Sequence, residues 1–204
     1  MHNYIFEELG KLFPNAGCEL NYNNVYELSV AVILSAQTTD KAVNKVTPKL
    51  FEKYPTIESL SMATLEDVCD IIKSIGLYQR KSEYIIEFSK CVIKDFNGII
   101  PKSIEELIKI PGVGRKTANV IVSEGYKLPG FAVDVHVTRV SNRLGLVNVC
   151  DPNKIEMKLK ELYSSDKWHI MHHRLIFMGR YLCKAQNPEC NRCPFTSICT
   201  YYKK

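Results

Sequence analysis

A chain of 204 residues with 46% apolar and 24% charged side chains is long enough to bury a core and too evenly mixed to be fibrous or disordered. Its longest apolar run, Val30 to Leu34, is far too short to cross a bilayer, and Glu7 and Glu8 interrupt the apolar residues where a secretory signal would begin; a cytoplasmic protein with no membrane partner is expected. The net charge of +5 is unevenly placed, because seven basic residues and a single acid, Glu189, fall within 167–204, leaving the first 166 residues at a net of −1. That asymmetry suits a polyanionic partner, although a basic tail that only aids solubility would account for it equally well.

Taken in chain order, apolar residues recur at three- and four-residue spacings over Val25 to Ala36, Ser82 to Phe96, Ser103 to Ile110, Lys116 to Ser123, Val135 to Leu144, Pro152 to Leu162 and Lys167 to Tyr181. These spacings predict helices. Thr39 with Asp40 starts another over 40–54, which Pro48 should kink or divide. Ser103 with Glu106 forms a capping box, Asp151 precedes a proline at the first helical position, and Gly76, Gly98, Gly125 and Gly145 mark stops. No stretch alternates as a strand does, so the fold class is all-α. The best candidate for a domain boundary is "YKLPGFAVD", 126–134, where Pro129 and Gly130 break the pattern.

The stretch "LIKIPGVGRKTANVI", 107–121, reads as helix, Pro-Gly-Val-Gly turn, helix. A P-loop would need glycine where Arg115 stands, and a dinucleotide fingerprint would need one at Thr117 after a strand. What remains is a turn in which Pro111 ends one helix and Gly112 and Gly114 are free to take positive φ. Around Val113 and Arg115 the backbone N–H groups and the positive end of the next helix dipole then form a site for one nucleic-acid phosphate. A plain inter-helix turn is the ordinary alternative. Lys116, in the first turn of the second helix, is by default a solvated side chain. As a nucleophile it would need a partner to manage protons and charge, and Asp134, entering a helix after an apolar run, offers one besides being a natural N-cap.

Cys18, Cys69, Cys91 and Cys150 stand at no ligand-like spacing and read as small core hydrophobes in a reducing compartment. Cys183, Cys190, Cys193 and Cys199 differ, because they lie within seventeen residues in a Cys-x6-Cys-x2-Cys-x5-Cys pattern. Structural zinc usually gathers two close pairs and only one is present here, so the spacing favours a [4Fe–4S] cluster, with zinc as the alternative.

Together, "YELSVAVILSAQTTDKAVNK", "IGLYQRKSEYI", "IPGVGRKTANVI", "AVDVHVTRVSNRLG" and the four-cysteine loop resemble the endonuclease III family of helix-hairpin-helix DNA glycosylases over nearly the whole chain. The resemblance implies two helical domains with a cleft between them. Residues 21–128 would form a bundle with the hairpin, and residues 1–20 plus 129–204 would form a second domain with an iron–sulfur cluster loop at 183–199. It further implies a monomer acting on double-stranded DNA with a damaged pyrimidine or abasic site, associated with the nucleoid while it does so. Lys116 would be the nucleophile and Asp134 its electrostatic partner, giving base removal and β-elimination through a Schiff base. Gln37 and Leu77 would fill the hole left by a flipped nucleotide, the hairpin from Pro111 to Arg115 would hold phosphate, and His136 and Lys184 would lie at the DNA. Family members present several basic residues between the first two cysteines, whereas "KAQNPE" offers Lys184 alone, opposed by Glu189, so the expected grip is either weaker or moved to Arg192 and Arg180. A monofunctional mismatch glycosylase would usually lack Lys116. A non-enzymatic hairpin protein would leave Lys116 and Asp134 idle, and an electron-transfer protein would leave the hairpin unexplained.

Overall fold

A computed structural model describes residues 1–202; Lys203 and Lys204, counted in the basic segment, lie outside the described residues. Eleven α-helices follow in chain order among those residues, with no strand: α1 (His2–Leu12), α2 (Val25–Leu34), α3 (Asp40–Lys53), α4 (Ile57–Ser61), α5 (Leu65–Ile72), α6 (Tyr78–Phe96), α7 (Ile104–Leu107), α8 (Arg115–Val120), α9 (Val135–Arg143), α10 (Pro152–Leu162) and α11 (Ser165–Phe177). Two of them run on into π turns, α8 into Ile121–Gly125 and α11 into Met178–Leu182. No helix among the described residues is long and apolar enough to cross a membrane. The chain divides into two compact units, Glu19–Leu128 and Met1–Cys18 with the chain from Pro129 on. The first boundary thus falls after Cys18, two residues before the expected one.

In the Glu19–Leu128 unit, α2 is the central strut. Every residue from Tyr26 to Leu34 is buried, as expected of a helix apolar on all faces. Its start is set by Asn24, whose side chain accepts from the Glu27 N–H at 2.9 Å. Helices α3, α6, α8 and the first π turn pack around it. A methyl group at Gly125 would come within 3.2 Å of Leu28 Cδ2 and Val25 Cγ1, so the side chains of α2 pack directly on the backbone of the π turn. Pro48 does not divide α3. The ring removes one amide donor, but Val43, Val46, Thr47 and Leu50 are buried on both sides of it and hold the helix in place.

The other unit is built on Ile5 and Leu9 of α1, Phe131, Val137, Val140 and Leu144 around α9, Ile155 and Leu159 of α10, Met171 and Leu175 of α11, and Phe195. The two ends of the chain meet here. Arg174 of α11 donates to the Phe6 carbonyl at 3.1 Å and lies over the Phe6 ring at 4.5 Å, while the Tyr163 hydroxyl donates to the His2 carbonyl at 3.2 Å.

The scattered cysteines are not core residues. Cys18, Cys69 and Cys91 are half-buried and Cys150 is exposed. Cys69 and Cys91 each sit one position beside a buried stripe residue, Val68 and Val92, so a 3.6-residue turn rotates them to the rim. The expected capping box at Ser103 is one-sided, since only the Ser103 hydroxyl accepting from the Glu106 N–H is present. Thr56 and Ser59 form the reciprocal box instead.

Because Leu28 is fully buried between α2 and the π turn, Leu28→Ala should lower unfolding stability by about 2–5 kcal/mol. Urea unfolding measures this; a loss below about 1 kcal/mol would mean the site collapses freely and the strut assignment is wrong.

Candidate active site and cysteine loop

The hairpin joins α7 to α8. Its turn is closed by the Val113 N–H donating to the Ile110 carbonyl at 3.1 Å, with the Val113 side chain buried beneath. Gly112 has φ +78°, and a Cβ there would meet Tyr84 Cβ at 2.9 Å and Ile33 Cγ2 at 3.6 Å, so conformation and packing both demand glycine. Gly114 does not take positive φ. It is extended at φ −85°, ψ 172°, serves as the N-cap of α8 without a side chain, and a Cβ on it would meet nothing within 4 Å. The turn thus presents bare backbone outward at Gly114, followed by first-turn amides that have no acceptor four residues back. Pro111, Arg115 and Lys116 are exposed. Among the described residues the Lys116 ammonium has no ion-pair partner. Behind it, Ala118, Asn119 and Val120 are buried, and Asn119 donates to the Arg115 carbonyl at 3.1 Å, tightening the turn that carries Lys116.

Two further turns of the same unit are held in unusual conformations. Gln37, after α2, has φ +53°, and Leu77, before α6, has φ +59°. Branched and long side chains visit this left-handed region rarely and at a cost, and such strain concentrates at functional positions. Both side chains are exposed, Leu77 to 60%, which is unusual for a leucine next to a helix that buries its own apolar face.

Asp134 belongs to the other unit. Its Oδ1 accepts the N–H groups of His136 and Val137 at 2.8 and 2.9 Å, capping α9. Among the described residues Oδ2 has no hydrogen-bond partner, so one carboxylate oxygen orders the helix and the other is left out of the cap. The next face of α9 lies against the second π turn. A Cβ at Gly179 would strike His136 Cβ at 2.8 Å, and glycine permits the approach. Arg139 spans this contact, donating to the Gly179 carbonyl at 2.9 Å, the Cys183 carbonyl at 3.1 Å and His136 Nδ1 at 3.1 Å. A guanidinium has no acceptor, so Nδ1 of His136 must be unprotonated. Burial accordingly pushes the imidazole below its ordinary value, opposed by Asp134 and reinforced by Arg139 and Arg180. His136 is a neutral structural link here.

Cys183 emerges from the π turn, its N–H donating to the Met178 carbonyl at 2.6 Å. With Cys190, Cys193 and Cys199 it lines one pocket backed by Leu144, Met178 and Leu182. Burial pushes the Cys193 thiol up, and the other three cysteines add to that shift. Arg143 of α9 donates to Cys183 Sγ at 3.3 Å and to the Lys184 and Ala185 carbonyls at 2.9 and 3.3 Å, and its guanidinium lies 3.8 Å from the Tyr201 ring centroid. A thiolate donor set with a charge-assisted hydrogen bond fits a metal centre. Lys184 is exposed but paired with Glu189 at 2.8 Å, and Arg192 takes the other oxygen of the same carboxylate at 2.7 Å.

Sequence reasoning did not find Arg139 and Arg143. Their positions were readable in principle, because 136, 139 and 143 recur along one side of α9 opposite the buried Val137, Val140 and Leu144. It also missed Lys81 of α6, which is 3% exposed and donates to the Thr38 hydroxyl.

A glycine hairpin between two helices, followed by an exposed lysine, and a four-thiol loop are the features of a helix-hairpin-helix protein. The family model of the HhH-GPD superfamily base excision DNA repair proteins matches residues 30–165. Endonuclease III of Bacillus subtilis (strain 168) is 48% identical over 197 residues, covering 96% of this chain and 90% of that protein. A solved structure of a trapped endonuclease III–DNA covalent intermediate superposes with a TM-score of 0.95 at 47% identity, covering 98% of this chain and 95% of that one. A non-covalent endonuclease III–DNA complex gives 0.94 at 47% identity, with 98% and 94% covered. The chain belongs to the endonuclease III family. It is a base-excision repair DNA glycosylase with AP lyase activity, and DNA is its partner.

The shared carboxylate has a measurable consequence. Glu189→Gln should release Lys184 and Arg192 for phosphate, tightening DNA binding at low salt and steepening the slope of log K against log salt by about 0.9 for each new contact. Fluorescence anisotropy over a salt series reads this, and an unchanged slope would show that neither cation reaches DNA.

Proposed function

We propose that this enzyme removes oxidised pyrimidines from duplex DNA and then cuts the strand through Lys116. The observation that carries the reading is the state of that side chain: exposed, without an ion-pair partner among the described residues, and set in the first turn of α8 behind a glycine turn suited to phosphate. The lysine amine attacks C1′ of the damaged nucleotide, and the N-glycosidic pair leaves with the base, which takes up a proton. The C1′–O4′ bond of the resulting aminal then breaks, its pair going to O4′, which takes up a proton, and the sugar opens to a C1′ iminium. This acidifies the 2′ hydrogen, so loss of that proton expels the 3′ phosphate by β-elimination, and water then releases the lysine. Asp134, with Oδ1 committed to the α9 cap, uses Oδ2 to stabilise positive charge at C1′ and to relay protons. Gln37 and Leu77 enter the hole left by the flipped nucleotide, a role their strained and exposed conformations support. Pro111 to Arg115 hold a phosphate, with Val113 anchoring the turn from below, and His136 keeps α9 in register.

The four cysteines hold a [4Fe–4S] cluster in this reading. Tetrahedral zinc with Zn–S bonds of about 2.3 Å keeps its thiolates roughly 3.8 Å apart. The single Cys-x2-Cys pair, with the other two cysteines spread along the loop around one pocket, suits the wider cubane better. When bound, the cluster ties the loop into one fixed turn. The protein acts as a monomer at the nucleoid in the cytoplasm.

Borohydride should trap the wild type on duplex DNA carrying an oxidised pyrimidine or an abasic site, while Lys116→Ala should give no adduct. Asp134→Asn keeps the cap, since asparagine and aspartate cap about equally, so its stability should stay within about 0.5 kcal/mol of wild type. Its single-turnover rate should nevertheless fall at least about 100-fold. Equal trapping by wild type and Lys116→Ala would refute the nucleophile. Iron and acid-labile sulfide analysis checks the cluster, and a colourless preparation with stoichiometric zinc would refute it.

A further inference from the structure

The Glu19–Leu128 unit buries one lysine almost completely, and nothing in the chemistry above uses it. Lys81 lies on α6 four residues after Leu77, and its backbone N–H donates to the Leu77 carbonyl at 3.0 Å. At 3% exposure its ammonium reaches across to the Thr38 hydroxyl, in the turn beside Gln37, and burial holds its pKa below the ordinary lysine value. A buried ammonium is costly, and an apolar side chain of similar length would usually be neutral or stabilising in its place. Such a residue is kept for something other than stability.

Its neighbours indicate what that is. Leu77 and Gln37 are exposed side chains held in left-handed conformations, on turns that are 40 residues apart in sequence. One further turn along α6, Tyr84 supports Gly112 of the hairpin, and Ile33, near the end of α2, touches the same point. Lys81 and Tyr84 therefore lie one turn apart on α6, just after its N-cap Leu77, and from this end of the helix the Leu77 turn, the Gln37 turn and the hairpin are all contacted. Between the two strained turns, the side-chain bond from Lys81 to Thr38 is the direct polar tie.

We infer that Lys81 is a positioning residue for lesion recognition: by tying the Thr38 turn to the start of α6, it sets Gln37 and Leu77 at a fixed separation so that both enter the duplex together. This rests on the plugging roles proposed above. Lys81 does not touch substrate, and its effect should appear only where there is a hole to fill and an orphan base to contact.

The test uses full-length Lys81→Met and Thr38→Val, with Leu77→Ala and Gln37→Ala as references. Two substrates are compared: a duplex with an abasic site opposite 2-aminopurine, and the same abasic strand alone. Lys81→Met should keep or raise the melting temperature, yet lower the ratio of duplex to single-strand cleavage on the order of tenfold or more. It should also diminish the 2-aminopurine change on binding. Thr38→Val should do the same in smaller measure, and it decides the matter should Lys81→Met fold poorly. Adding Leu77→Ala to Lys81→Met should cost much less than the product of the two single effects. A folded Lys81→Met or Thr38→Val with wild-type ratio and fluorescence would overturn the inference while leaving the plugging reading intact. If Leu77→Ala and Gln37→Ala are themselves like wild type, the plugging reading falls and takes this inference with it.

Discussion

The hairpin rests on α6 so closely that a single methyl group at Gly112 would come within 2.9 Å of Tyr84 Cβ. That contact fixes the turn that leads into α8, whose second residue is Lys116, the proposed nucleophile. Gly112 supplies positive φ and the missing side chain, Val113 plugs the turn from below, and Gly114 leaves extended bare backbone before Arg115 and Lys116. The turn would lose its aim if it floated. Instead it is pinned to a nineteen-residue helix that carries Lys81 and has Leu77 as its N-cap. In the proposed reaction, a phosphate held by the turn would bring its sugar to a position already set relative to Lys116, which is how binding geometry lowers the entropic part of a barrier.

The unit that holds Asp134 follows a similar plan with different parts. Helix α9 is capped by Asp134, crossed by the second π turn at Gly179, and closed against the cysteine loop by Arg139 and Arg143. A π turn adds one residue to a helical turn and so rotates whatever follows it. Here it hands the chain from α11 to Cys183 in the orientation that Arg139 and Arg143 receive. The loop is held by its own helix as well as by any metal, and the stacked Arg143 and Tyr201 extend that hold to the end of the described chain.

Much of this was legible in the sequence, and the omissions have physical causes. The long amphipathic helices announced themselves by period, and α6 and α10 end where the spacing said they should. Helices α4 and α5, at five and eight residues, are too short to establish a period, and α1 offers only Ile5 and Leu9 to the core. The π turns were invisible because the residues either side of them keep a helical pattern. At the site, the glycine turn, Lys116, Asp134 and the four cysteines stand out as motifs. Lys81 did not, because a lysine in an amphipathic helix reads as a solvated one, and its burial depends on Thr38, forty-three residues away. The capture of both Lys184 and Arg192 by Glu189 is likewise a tertiary fact, although the acid was visible in the loop.

The account comes down to one bond, the one between Lys116 Nζ and C1′ of the damaged nucleotide. The most direct measurement is peptide mapping by mass spectrometry of the wild-type protein after borohydride reduction on abasic duplex DNA. The account predicts that the sugar remnant lies on Lys116 in the peptide that follows the hairpin. A remnant on Lys81, Lys184 or any other amine, with Lys116 unmodified, would contradict it.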